Sequence, residues 1–284
     1  MREPSRLSGE RMENALRLFG IEEAEARALT ASSYDVRTER GHYVLERKRG
    51  ELAFPYEVRE SGGWRLYAPD EPFTTYPVLP SEDLCCRLGK ALQALHDRLG
   101  ETDEPPFSDS RNAYIELGKA VKADSFSRVE AVSPELDRLL ADRKRANMIG
   151  DLLKRGVLKK SLVHGSLGLS SCLFLSGGDV MFLGLDDVRP GTVLYDTGSL
   201  SATASSAEDS SFRLSFYKAF QEGYFDGNSF SGALEKELFA ESLRGMAQLE
   251  AVRALAAYLS GGGEETITLC RNRLSFIQDR DRYL

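Results

Sequence analysis

The chain is poor in the residues that most specialised chemistries need. Its 284 residues include four cysteines, three histidines and one tryptophan. Cys85, Cys86, Cys172 and Cys270 form no Cys-x-x-Cys pair, and His42, His96 and His164 stand apart from any cysteine cluster. That spacing argues against a zinc site. No apolar run approaches the roughly 20 residues needed to span a bilayer. Positive charge is not in excess either: the net charge is −7, whereas general nucleic-acid binding needs a basic surface. No Gly-x-Ser-x-Gly elbow surrounds Ser166, Ser170 or Ser171, so a serine-hydrolase nucleophile is not indicated. The first 20 residues are charged and lack an apolar core, so no export signal is expected. Unpaired cysteines fit a reducing, cytoplasmic setting.

What is present is ordinary globular composition, 42% hydrophobic and 29% charged. This length suits one large domain or two lobes around a cleft. The most informative stretch is residues 162–196. Leu162-Val163 leads into His164-Gly165, and a second apolar run, Cys172 to Leu175, ends at Gly177-Gly178-Asp179. A third, Val180 to Leu185, ends in Asp186-Asp187. Two short β-rich runs around a Gly-Gly turn predict a hairpin with polar residues gathered at its open end.

This layout resembles the catalytic core of the aminoglycoside phosphotransferase and choline-kinase-like family. The family core runs His-Gly-Asp, four residues, Asn, a hairpin, Ile-Asp-Phe, then Gly and Tyr-Asp. Here it reads His164-Gly165-Ser166, Ser171, the hairpin, Leu183-Gly184-Leu185, Gly191 and Tyr195-Asp196. Leu95-His96 is similar to the pair that closes the first helix of the family's C-lobe, and Tyr43-Val44-Leu45-Glu46 to its lysine strand. The short N-lobe adds a weaker likeness to spore-coat kinase-like proteins. The resemblance implies an α+β, two-lobed protein-kinase-like fold, with a reduced β-rich N-lobe over residues 1–80 and a mainly helical C-lobe over 81–284 holding the 162–196 hairpin.

Phosphoryl transfer needs positioned phosphates, metal ions that bridge them, and a base for the attacking hydroxyl. In the resembled family a strand lysine, a loop aspartate, an asparagine and a post-hairpin aspartate supply these. Those positions here hold Glu46, Ser166, Ser171 and Gly184. Glutamate repels phosphate, serine is no carboxylate base near neutral pH, and glycine offers magnesium no ligand. The resemblance thus implies a pseudokinase that acts by binding or scaffolding, with no cofactor expected. The alternative is an active ATP-dependent phosphotransferase acting on a small-molecule hydroxyl, with ATP and magnesium. A hairpin registered two residues longer would bring Asp186 to the metal position, with Asp187 beside it, and Lys48 would replace the lysine from the same strand face. His164 is expected to support the loop, and Asp196 to tie C-lobe backbone.

Elsewhere, residues 9–19 and 21–29 are expected to be helices, and residues 31–48 a hairpin closed by Glu39-Arg40-Gly41. Strands are expected at 54–59 and 64–68, with no helix of useful length between residues 50 and 80. Residues 81–99 predict a helix capped by Ser81. A polar stretch follows residue 107, then one helix from Ser133 toward Arg155. Residues 199–211 suggest a loop or short helix, and helices fill the rest: an aromatic stripe (Phe212, Phe216, Phe220, Tyr224), residues 234–259, and a last amphipathic helix. The basic run 143–160 (Arg143, Lys144, Arg145, Lys154, Arg155, Lys159, Lys160) reads as a solvated helix face, with docking of an acidic protein partner, there or through the cleft, as the sharper reading.

Overall fold

A computed structural model describes residues 6–30, 33–39, 41–47, 58–69, 71–107, 109–165, 167–185, 188–227 and 232–284. The chain divides into two compact units, Met1–Pro77 with Leu169–Val188, and Val78–Gly168 with Arg189–Leu284. This differs from a division into 1–80 and 81–284, because the hairpin segment joins the first unit. The reason is strand pairing, given below.

The first unit opens with α1 (Arg6–Arg17) and β1 (Glu25–Ala28). Then come β2 (Ser33–Thr38), β3 (Gly41–Arg47), β4 (Val58–Ser61) and β5 (Trp64–Tyr67). These strands form one sheet in the order β1-β2-β3-β5-β4. Residues 21–29 are therefore not a helix. Gly20 turns the chain at φ +72°, and β1 then pairs with β2, setting Glu25 opposite Arg37 and Arg27 opposite Asp35. Cross-strand pairing outweighs the high helix propensity of alanine and glutamate, and a charged edge strand resists further pairing. Among the described residues no helix stands between β3 and residue 80; residues 48–57, on which part of that expectation falls, lie outside them.

Alternation gives the sheet two faces. Tyr34, Val36, Leu45 and Leu66 pack with Ala15 and Leu16 of α1 and with Phe19 in the turn after it. On the other face Val44 and Tyr67 pack with Phe73, Leu173, Met181 and Leu183. Those partners belong to β6 (Phe73–Thr74), and to the hairpin and its end. That hairpin follows the second unit's β7 (Ser161–Val163) and consists of β8 (Cys172–Leu175) and β9 (Val180–Phe182). Strand β6 pairs with β8, Phe73 opposite Leu175. That pairing and the shared core carry residues 169–188 into the first unit.

The second unit is helical: α2 (Glu82–Leu99), α3 (Asp109–Ala123), α4 (Ser133–Ala141) and α5 (Arg143–Lys154) before the hairpin. After it come β10 (Arg189–Gly191), which pairs with β7, and α6 (Val193–Ala204), α7 (Leu214–Phe225), α8 (Ala233–Glu237), α9 (Phe239–Leu259) and α10 (Glu264–Arg280). Ser81 caps α2 as the sequence suggests, its side chain accepting from Leu84 N–H. The polar stretch after residue 107 is α3, which buries Ala113, Tyr114, Leu117 and Ala120 at helical spacing. Residues 133–155 form two helices because Asp142 leaves the helical path, and its carboxylate accepts from the buried Arg244 at 2.6 Å. Residues 199–204 continue α6. Of the aromatic stripe, Phe220 and Tyr224 are core on α7, Phe212 precedes that helix, and Phe216 is half-buried beneath Arg213, 3.6 Å from its ring centre.

Helices α2 and α7 cross with bare backbone in contact. A Cβ on Gly89 would stand 2.2 Å from the Phe220 carbonyl oxygen, and one on Gly223 2.0 Å from that of Cys86. Neither clash can be relieved by a rotamer change. Gly223→Ala is therefore expected to destabilise the protein by about 1–3 kcal/mol or more. By contrast, Gly118→Ala, on an exposed turn of α3 with open space around it, should stabilise by about 0.5–1 kcal/mol. Urea denaturation of the two variants checks both signs, and equal midpoints would contradict the close crossing.

Candidate functional site

In the second unit the candidate loop follows β7. His164 N–H and Gly165 N–H donate to the two carboxylate oxygens of Asp196, each at 2.7 Å. His96 Nε2 lies 3.1 Å from Asp196 Oδ2, and His96 Nδ1 lies 2.8 Å from the Tyr224 hydroxyl. An ionised carboxylate only accepts, so Nε2 carries the proton toward Asp196. His96, His164, Asp196 and Tyr224 are all at most 1% exposed. Burial pushes the Asp196 carboxyl up. The hydrogen bond and charge of His96, the charge of His164 and the Gly165 N–H outweigh it, and the carboxyl is held below its ordinary 3.8.

Further bonds fix the same loop. Gly165, at φ +80°, accepts from Arg189 Nη2 at 2.8 Å, and Arg189 is stacked 3.9 Å from the centre of the Phe107 ring. A Cβ on Gly165 would collide with that guanidinium at 2.5 Å, so this position needs glycine for both its backbone angle and its contact. Ser199 Oγ donates to the Leu167 carbonyl at 2.6 Å. Position 166 is thus flanked on both sides by anchored residues; Ser166 itself lies outside the described residues. Arg189, Ser199 and Tyr224 were not singled out as site residues from sequence. Arg189 sits on a short strand with no motif of its own, and Tyr224 reads as one more core aromatic.

In the first unit the strand and hairpin positions meet. Glu46 on β3 is 3% exposed, and its Oε1 accepts from Gly184 N–H at 2.6 Å. The Tyr67 hydroxyl is 3.4 Å from its Oε2. Register sets Ser33 opposite Glu46 on one side and Arg65 on the other, all on one face of the sheet. Ser171, 7% exposed, ends a tight turn before β8, and its carbonyl accepts from Leu183 N–H at 2.9 Å. Lys48, Asp186 and Asp187 lie outside the described residues.

Two of the positions that the family chemistry uses are described and bonded to each other. A carboxylate stands at the strand position, and glycine at the post-hairpin position brings no oxygen ligand. Among the described residues no three His, Cys, Asp or Glu side chains cluster to hold a metal. Thiol chemistry is disfavoured as well: burial pushes Cys85 and Cys270 up to about 12, and Cys172 further. The basic run is partly committed within its own unit. Arg145 forms a two-pronged bond with Glu241 at 2.7 and 2.6 Å, and Lys159 donates to Glu101 at 3.0 Å.

A sheet-bearing first unit that includes the β8–β9 hairpin, and a helical second unit with a buried histidine in the last turn of α2 and an Asp-anchored loop after β7, are the parts of a protein-kinase-like fold. The family model described as the phosphotransferase enzyme family matches residues 67–230, more than half of the chain. The protein belongs to that family. Solved structures agree on the fold. A choline/ethanolamine kinase family protein from Mesorhizobium loti superposes with a TM-score of 0.64 at 13% identity, covering 95% of this chain and 94% of its own. A choline kinase from Streptococcus pneumoniae gives 0.59 at 11% identity, covering 96% and 99%. An aminoglycoside phosphotransferase from Alicyclobacillus acidocaldarius gives 0.60 at 11%, covering 91% of each chain. No helix among the described residues is long and apolar enough to cross a membrane.

Asp196 yields a test. Its carboxyl is lower in the folded state, so its contribution to stability is present above the unfolded value, about 3.9, and is lost as pH falls through the folded value. Asp196→Ala leaves two buried N–H groups and His96 without their acceptor. It should cost about 3–5 kcal/mol at pH 7. Chemical denaturation from pH 7 down to pH 2 should show this difference shrinking below about pH 4; a difference independent of pH would contradict the carboxylate's role.

Proposed function

We infer that this member of the phosphotransferase family binds rather than transfers. It is a pseudokinase that acts as a binding or scaffolding protein, in a reducing cytoplasm that keeps its four cysteines free. The observation that carries this reading is the Glu46 carboxylate, held at 2.6 Å by the Gly184 amide. At the strand position the family chemistry calls for a cation. Two like charges 4 Å apart repel by about 4 kcal/mol at an effective dielectric near 20, so a carboxylate there works against every phosphate that approaches. Ser171 and Gly184 offer no carboxylate to magnesium. His164 supports the loop through its backbone and places no nucleophile or base in it.

The frame of the loop is nonetheless kept by Asp196, Arg189 and Ser199. Retained order without the acid groups fits recognition better than catalysis. The protein surface we favour for an acidic partner is the exposed part of the basic run, Lys144, Lys154 and Arg155, since Arg145 and Lys159 are already paired.

Thermal unfolding with ATP, with and without magnesium, tests this on the unmodified chain and on Asp186→Ala. No shift in Tm is expected under either condition, and no transfer of labelled phosphate to choline, ethanolamine or an aminoglycoside. A magnesium-dependent rise in Tm that disappears in Asp186→Ala would overturn the reading in favour of an active small-molecule phosphotransferase with a rearranged metal site.

A further inference from the structure

Glu46 does more than replace a cation. Its bond to Gly184 joins β3 to the end of the hairpin across 138 residues of sequence. Gly184 lies at φ +79°, a backbone angle that glycine adopts without strain. The donor is a backbone amide and the acceptor a carboxylate, which makes the bond charge-assisted and stronger than a neutral one. A buried carboxylate is held only when its remaining lone pairs find support, and Tyr67 and the buried Arg65 across the register lie on the same face.

The other buried polar groups of this face are also served from within the first unit. Ser33 Oγ and Thr30 Oγ1 are 2.5 Å apart, Asp35 bonds His42, and Arg65 Nε donates to Glu60 at 2.8 Å. His42 in turn is stacked on Phe73, ring centres 4.0 Å apart. Among the described residues, Ser33, Asp35, Glu46 and Arg65 thus each have a partner within the first unit.

Building on the pseudokinase reading, we propose that Glu46 is a built-in anionic latch. Its carboxylate takes the Gly184 amide, fastens the end of the hairpin to β3, and bars polyphosphate from this face of the sheet. The latch separates two consequences of position 46, a mechanical one at residues 183–185 and an electrostatic one toward anions. Glu46→Gln keeps an acceptor oxygen and the side-chain shape but removes the charge. Glu46→Lys removes the acceptor and reverses the charge.

Hydrogen exchange by mass spectrometry over residues 180–185 reads the mechanical part. Exchange there should rise about tenfold or more in Glu46→Lys and by a smaller factor in Glu46→Gln. Thermal unfolding with inorganic tripolyphosphate, without magnesium, reads the electrostatic part. The unmodified chain should not respond, and Glu46→Lys should gain a rise in Tm. Unchanged exchange in Glu46→Gln and Glu46→Lys overturns the latch, as does stabilisation of the unmodified chain by tripolyphosphate or no gain in a folded Glu46→Lys. If Glu46→Lys does not fold, Glu46→Gln decides: faster exchange confined to residues 183–185 supports the latch, and wild-type exchange overturns it. The loss-of-chemistry reading is judged separately, on magnesium ATP with the unmodified chain, so either can fail alone.

Discussion

Asp196 is a carboxylate with no access to water, and the second unit depends on how it is satisfied. Four segments distant in sequence converge on it: α2 through His96, the loop after β7 through two backbone N–H groups, α6 which carries it, and α7 through Tyr224 behind His96. An ionised group in such surroundings is tolerated only when opposite charge and donors enclose it. The enclosure in turn fixes the loop to within a hydrogen bond's tolerance. The loop would be equally well placed for catalysis or for recognition. Geometry of this kind is a property of the frame.

Much of this was legible in the sequence, for identifiable reasons. The hairpin around Gly177-Gly178 and the leucine periodicity of α2 are local patterns, and local patterns survive translation into structure. His96, His164 and Asp196 were visible as motif residues, although nothing in the sequence said that His96 and Asp196 bond to each other. The misreadings share a different cause. β1 is a strand because β2 offers it partners, and the break at Asp142 exists because Arg244 draws that carboxylate aside. Helix α3 was legible in principle, since Ala113, Tyr114, Leu117 and Ala120 keep helical spacing, but its charged face hid the stripe. Glu46 was visible as a wrong residue at a known position; that its partner is the equally wrong Gly184 was not.

That last pairing bears on how a family frame changes over time. Here the two altered positions complete each other, one giving an acceptor and the other a bare amide. Among the described residues, the buried polar side chains of this face are bonded within the first unit.

The interleaving of the two units has a consequence for biosynthesis. Residues up to Pro77 leave the ribosome well before the hairpin that begins at Leu169. At roughly 5–20 residues per second, that gap lasts on the order of 5–20 s. During it Val44, Tyr67 and Phe73 have no Leu173, Met181 or Leu183 to cover them, while the α1 side of the sheet can already close. The nascent protein thus passes through a stage with one finished face and one sticky one. Chaperone engagement, if it occurs, has a defined window and a defined surface.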